Sequence, residues 1–173
     1  MPIHIIIDGY NLIRQSPDLS RLDRHDLQAG REALIDLLAR YKKIKAHKIT
    51  VVFDGTRAPG FSLERDRHKG IAVVFSRRGE TADSVIKNMA AREREGVLVV
   101  SSDRDVTAVA QSRGAAIIES PAFEQKLMLV AYLETKGLDE EPDTGWQPTT
   151  RKKGPRRRLS KKARRSKAKI RKL

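Results

Sequence analysis

Five aspartates stand where hydrophobic runs stop. Asp8 follows the run at Ile3–Ile7 in MPIHIIIDGYN, Asp54 follows Ile49–Phe53, and Asp103 and Asp105 follow Val97–Val100 after Ser101-Ser102. Asp83, in GETADSVI, opens the helical pattern after Ile71–Phe75. Carboxylates so far apart in the chain act together only if the fold gathers them. Two of them ~5 Å apart on neighbouring strands repel by roughly 3 kcal/mol at an effective dielectric of 20. A third or fourth makes the site worse unless protons, basic groups or a cation intervene. Magnesium or manganese is the natural answer, because hard cations take oxygen ligands, keep several waters, and are held by a few carboxylates together with substrate phosphates. One or two such ions can activate a water and stabilise charge on a phosphoryl group. Phosphodiester hydrolysis is the reaction this chemistry suits.

Each acid also has a local use. Asp83 falls in a first helical turn, where the dipole favours an acid, and Asp103 can be a helix N-cap. Asp8-Gly9 and Asp54-Gly55 can be turn pairs. Asn11 lies three residues beyond Asp8 and could orient it or meet a phosphate. Thr81, Ser101 and Ser102 are hydroxyls placed either to support the acids or to cap helices. The case for a site rests on convergence.

The positioning elements follow from periodicity. Short, β-branched, nearly continuous runs at Ile3–Ile7, Ile49–Phe53, Ile71–Phe75, Val97–Val100 and Ala115–Ile118 predict five buried strands. Leu27, Leu34, Leu38 and Tyr41 make one helical stripe; Ile86, Met89, Ala90 and Glu93 make another, ending at Gly96. A third helix is expected from Arg104 to Arg113 with Gly114 as its stop. Ser120-Pro121 supplies an N-cap and first-turn proline for a fourth, ending near Gly137. The alternation predicts an α/β fold with a mainly parallel sheet, whose ligand crevice lies at the carboxyl ends of the strands. The connection 54–70 has no convincing helical stripe.

The 173-residue chain suits one domain plus an extension. It has no cysteine, which excludes disulfides and thiolate metal sites and fits a reducing compartment. No signal peptide and no run of about 20 apolar residues is present, so a cytoplasmic protein without membrane contact is the expectation. His4, His25, His47 and His68 show no mutual metal spacing, and no Ser-His-Asp set, Gly-rich phosphate loop or dinucleotide fingerprint is evident.

The net charge is +14, and residues 151–173 carry 14 Lys or Arg with no acid. The remainder is formally neutral. Residues 1–138 therefore read as the catalytic domain, 139–150 as a polar linker, and 151–173 as a basic tail too poor in apolar residues for a core of its own, expected to be disordered or transiently helical when free. Arg156, Arg157, Arg158, Lys161, Lys162, Arg164 and Arg165 would give it salt-sensitive, largely sequence-independent affinity for RNA. Nearer the acids, Arg57, Arg65, Arg67 and Lys69 with Phe61 among them, then Arg77 and Arg78, could position phosphates and stack a base.

Four ordered blocks, IIIDGYNLI, VVFDG, GETADSVI and VVSSDRDV, together resemble the YacP-like branch of the NYN domains, relatives of the PIN-domain nucleases. The resemblance spans residues 3–136 and leaves the basic tail outside. It implies a PIN-like, Rossmann-like three-layer sandwich around the five-stranded sheet, and magnesium- or manganese-dependent endonucleolytic cleavage of RNA. In this branch it further implies association with ribosomes and mRNA decay. By motif, Asp8, Asp83 and Asp103 would be metal ligands, Asn11 the companion of Asp8, and Asp105 a fourth acid. The alternative is a non-catalytic RNA-binding or ribosome-assembly protein gripping RNA through magnesium. Asp103-Arg104-Asp105 is also a DxD, but a Toprim site would end the first strand in Glu, and a haloacid dehalogenase would carry its DxD on that strand.

Overall fold

The computed structural model describes residues 2–57, 65–137 and 160–173. Six strands form one sheet: β1 (His4–Asp8), β2 (Lys48–Phe53), β3 (Arg65–His68), β4 (Ile71–Phe75), β5 (Val97–Val100) and β6 (Ala116–Ile118), in the order β3-β4-β2-β1-β5-β6. All pairings are parallel except β3 with β4. The described helices are α1 (Gly9–Gln15), α2 (Pro17–His25), α3 (Leu27–Ile44), α4 (Ala82–Glu93), α5 (Arg104–Ser112), α6 (Ser120–Thr135) and α7 (Lys161–Arg171).

The alternation along β1 divides the core into two. Ile5 and Ile7 pack with Leu12, Leu34, Leu38, Tyr41 and Phe123 of α1, α3 and α6 on one face of the sheet. Ile6 packs with Ile86, Ala90, Val106 and Ala110 of α4 and α5 on the other. Both faces are covered, which is why the strands are apolar throughout and the fold is a three-layer sandwich. Side chains such as Leu38 and Ile86 are fully buried, each contributing ~1.5–3 kcal/mol of transfer free energy.

The sheet has six strands where five were expected. The additional one, β3, reads RDRH and shows no apolar alternation, because it is an edge strand whose charges protect an open ladder. Lys69 and Gly70, both at positive φ (50° and 80°), make the two-residue turn into β4. The helices α1 and α2 were also absent from the periodicity. The first is only seven residues long and begins at a glycine. The second carries the signal used elsewhere: Ser16 Oγ accepts from the Leu19 N–H at 3.3 Å, with Pro17 in the first turn.

Of the tail expected to be disordered or transiently helical, residues 160–173 are described, and they are ordered. α7 packs against the edge strand β6 and the amino end of β5, with Ile170 and Leu173 joining the larger core cluster. The Tyr41 hydroxyl donates to the Leu173 carbonyl at 3.1 Å, and Lys169 Nζ reaches the carbonyl of Val97, the first residue of β5, at 3.5 Å. Arg165 pairs with Glu95. The physical reason is a sparse stripe, Ala163, Ser166, Ile170 and Leu173, which needs the domain to complete a core. The 139–150 linker and residues 151–159 lie outside the described residues. No helix among the described residues is long and apolar enough to cross a membrane.

Candidate active site

The strand order reverses between β1 and β5, so the crevice of this doubly wound sheet opens where those two strands end. Ile7 pairs with Val100 in parallel register, which carries Asp8 and Ser101 out of the sheet side by side. Ser101 Oγ–H donates to Asp8 Oδ2 at 3.0 Å. The Asn11 backbone N–H donates to Asp8 Oδ1 at 3.4 Å, making Asp8 the N-cap of α1. Asp8 is only 7% exposed. Burial pushes its carboxyl up to about 6; the Asp83 and Asp103 carboxylates push the same way, against the Ser101 and Asn11 bonds.

Two glycines hold this rim tight. A Cβ on Gly9 would fall 2.3 Å from the Phe53 ring, and one on Gly55 would fall 2.0 Å from the Ser76 carbonyl oxygen. Only glycine lets α1 start against β2, and the β2 and β4 exits meet. The Gly55 N–H donates to Ser76 Oγ at 3.0 Å across that second junction.

Asn11 does not orient Asp8 with its side chain. Its Oδ1 accepts from the Ser102 N–H at 2.9 Å and from Ser120 Oγ at 2.7 Å. Because a backbone N–H needs an acceptor, this fixes Oδ1 inward and turns Nδ2 outward. Ser102 Oγ in turn accepts from the Ser120 N–H at 3.1 Å. Ser120, expected as the N-cap of α6, is instead its first residue, behind Glu119, and its hydroxyl belongs to this network. Nothing in spacing could have revealed it, since the two partners lie 109 positions apart.

Asp103 caps α5: Oδ1 accepts from the N–H groups of Asp105 at 2.7 Å and Val106 at 3.2 Å. Its own N–H donates to Ser101 Oγ at 3.1 Å. A carboxylate has about four acceptor sites, so capping leaves it able to bind a cation. Asp83 lies in the first turn of α4, behind the Thr81 cap, whose Oγ1 accepts from the Ser84 N–H at 3.2 Å. Burial raises the Asp83 carboxyl first; Asp103, Asp105 and Asp54 raise it further, while Lys87 opposes them.

The remaining acids stand further out. Asp105 is exposed and paired with Lys87, a residue the spacing argument did not single out. Asp54 Oδ1 closes a turn, accepting from the Thr56 N–H at 2.9 Å and the Thr56 hydroxyl at 2.7 Å. It still acts on Asp83 through the field.

Among the described residues no three acidic or histidine side chains are grouped so as to hold a metal ion by themselves. The donor set nevertheless fits a hard cation: oxygen ligands only, with burial and neighbouring acids raising the Asp8 and Asp83 carboxyls. An open arrangement of this kind suits magnesium, which is ordinarily bound by one or two carboxylates plus waters and substrate phosphates.

The expected RNA-contacting residues scatter. Arg77 and Arg78 follow β4 on the same rim as the acids, and Arg67 is exposed on β3. Lys69 lies at the far end of the sheet, paired with Asp36. Lys161, Lys162, Arg164 and Arg165 are on α7, at the opposite pole from Asp8. Phe61, Arg156, Arg157 and Arg158, and the side chains of Arg57 and Arg65, lie outside the described residues.

A carboxylate-lined crevice at the switch point of a three-layer α/β sandwich is an arrangement compatible with a nuclease-type domain. The model of the YacP-like NYN domain matches residues 5–172, and the chain belongs to that family. The match takes in α7, so the helix is part of the family domain, beyond the 3–136 span of the four blocks. The uncharacterized protein YacP of Bacillus subtilis (strain 168) is 31% identical over 86 residues, 50% of this chain and 50% of that protein. The chain thus spans about half the length of the curated relative it matches. The crystal structure of Rae1 (YacP) from Bacillus subtilis superposes with a TM-score of 0.68 at 24% identity, over 80% of each chain. A tryptophan-to-leucine variant of it gives 0.63 at 23% identity, over 79% of this chain and 80% of that one. At these identities the two structures speak for the fold alone.

Proposed function

We propose that the chain is a magnesium- or manganese-dependent endoribonuclease of the cytoplasm, hydrolysing RNA phosphodiesters in association with ribosomes and contributing to mRNA decay. The observation that carries this reading is the buried Asp8 carboxyl, pushed up to about 6 in a field shared with Asp83 and Asp103. A carboxylate so placed is costly to the fold and is relieved by a cation. Asp8, Asp83 and Asp103 would hold the ion, with Asp105 and Asp54 adding to the attraction from further out. When bound, the metal would activate a water and stabilise charge on the phosphoryl oxygens. Ser101 fixes the direction of Asp8, and Asn11 locks the three segments that form the crevice while presenting Nδ2 outward. On this reading α7 supplies affinity for ribosomal RNA.

The open metal arrangement favours one competing reading, a non-catalytic protein that grips RNA through magnesium. Mapping RNA ends on free and ribosome-bound RNA, with magnesium or manganese and a chelator control, separates the two. Metal-dependent new ends with the wild type, lost with Asp8→Asn and Asp83→Asn, support the nuclease. Undiminished cutting by both variants rejects the site, and no metal-dependent product under any condition favours the binding protein.

A further inference from the structure

A second feature touches the acidic rim and is not explained by it. Between the loop after β4 and the outer face of α4 lies an open cleft of about 470 Å³, lined at its polar edges by Arg78, Glu80, Ser84, Asn88 and Arg92. That volume is within the usual range for a ligand site. Ser84, Asn88 and Arg92 recur every four residues, so they form one stripe along α4. Val85 and Met89 lie beside it as a partly buried apolar floor. The cleft starts at the first turn of α4, beside Asp83, and runs to its last turn.

Charge along the cleft changes sign. At its head stand the acids of the rim, with Arg78 on the loop across from them and Arg92 in the last turn of α4; both are exposed, and neither side chain has an ion pair or hydrogen bond among the described residues. Glu80, the acid that lines the cleft, takes the Arg77 N–H at 3.4 Å. Glu93, next to Arg92, is turned away onto His4 at 2.5 Å. A cation in the last turn of a helix is favoured by the dipole, which accounts for Arg92 but not for Arg78 across the cleft.

We infer that this cleft is a binding track for single-stranded RNA, holding the nucleotides that flank the phosphodiester at the acidic rim. The inference rests on the nuclease reading for its direction and adds to it a substrate class and a path. The chemistry matches the occupant: guanidinium groups meet phosphates, Asn88 and Ser84 offer hydrogen bonds to sugar or base edges, and Val85 and Met89 give a base an apolar surface. Repulsion by the rim acids is strongest at the scissile phosphate, where the cation would sit, and is screened further along the cleft.

The test is anisotropy of a short, unstructured, end-labelled RNA on the full-length Asp8→Asn chain in magnesium, across a salt series. Arg78→Glu and Arg92→Glu are each expected to weaken binding severalfold and the pair to weaken it further. The slope of log affinity against log salt should fall by about 0.7 for each phosphate left without its cation. Equal affinity and slope for the double variant and its parent overturn the proposal. So does a parent with no affinity for the single strand, or a duplex of the same sequence that binds as tightly and loses as much. Because the readout is binding in a background that need not cut, failure here is distinguishable from failure of the nuclease reading, which is seen as missing metal-dependent ends.

Discussion

Ser101 Oγ donates to the Asp8 carboxylate at 3.0 Å while accepting the Asp103 N–H at 3.1 Å, so one hydroxyl ties the Asp8 side chain to the backbone of Asp103. Ser101→Ala should fold, since the side chain is fully buried but small. We expect kcat to fall by about 10–100-fold, the usual loss when the partner of a metal-binding side chain is removed. The bond lowers the Asp8 pKa; losing it moves the acid limb of the pH–rate profile upward. A profile at wild-type position with unchanged kcat would mean that Ser101 is only packing.

The Asp8 carboxyl carries a stability prediction with a definite sign. Its pKa is about 6 in the fold against 3.8 for the reference side chain. For a raised acid the protonated form is the one the fold prefers, so stability is lost as pH rises from about 4 to about 6 and stays low above. The shift is worth on the order of 3 kcal/mol. Without divalent metal, Asp8→Asn should therefore melt higher than wild type at pH 8 and lose that advantage at pH 4, as read by thermal unfolding in chelator. An advantage that is the same at both pH values would contradict the assignment.

Metal should close most of that gap. A ligand that binds only the folded state adds about 2.7 kcal/mol at a hundred times its Kd. Thermal unfolding with rising magnesium or manganese should raise the midpoint of the wild type and leave Asp8→Asn and Asp83→Asn unmoved. Parallel rises in all three proteins would place the ion elsewhere.

Gly9 admits no side chain, because a Cβ there would meet the Phe53 ring at 2.3 Å. Gly9→Ala forces α1 away from β2 and carries Asp8 and Asn11 with it. A loss of about 1–3 kcal/mol is expected, with a larger proportional loss of RNA cleavage, measured by unfolding and by product formation on the same preparation. Full activity at wild-type stability would show that the rim relaxes freely.

The C-terminal helix calls for charge reversal rather than deletion. Ile170 and Leu173 pack into the core, so removing 160–173 should cost on the order of 2 kcal/mol or more in buried side chains alone. Arg164→Glu with Arg171→Glu alters exposed residues instead. Binding to ribosomes should weaken and its salt dependence flatten, while cleavage of a short free RNA stays at wild-type rate. An unchanged salt slope on ribosomes would remove the anchor role.

The parallel strands and the acids at their ends were legible because each run is β-branched, closed by a polar turn, and doubly buried. The stripe of α3 and the Gly114 stop of α5 were legible for similar reasons: Gly114 takes a φ of 103°, open chiefly to glycine. β3 was not legible, since an edge strand written RDRH follows no core. The ordering of α7 was hidden by charge: four inward residues among many lysines and arginines give a core signal only once the domain is there to receive them. Within the site, Asp8, Asp83 and Asp103 were marked by position, whereas Ser120 and Lys87 became visible only when helices distant in sequence were packed together.

The placement of α7 and Asp8 at opposite ends of the strands gives the molecule a built-in reach. The five residues of β1 separate the two poles by ~17 Å, about five base steps of a stacked strand at ~3.4 Å each. Whatever nucleic acid the helix grips cannot be the stretch lying in the crevice, so holding and cutting would be spatially offset. The fold would then act as a spacer between a docking point and a scission point, and substituting another grip at the α7 pole should redirect the cutter without rebuilding it.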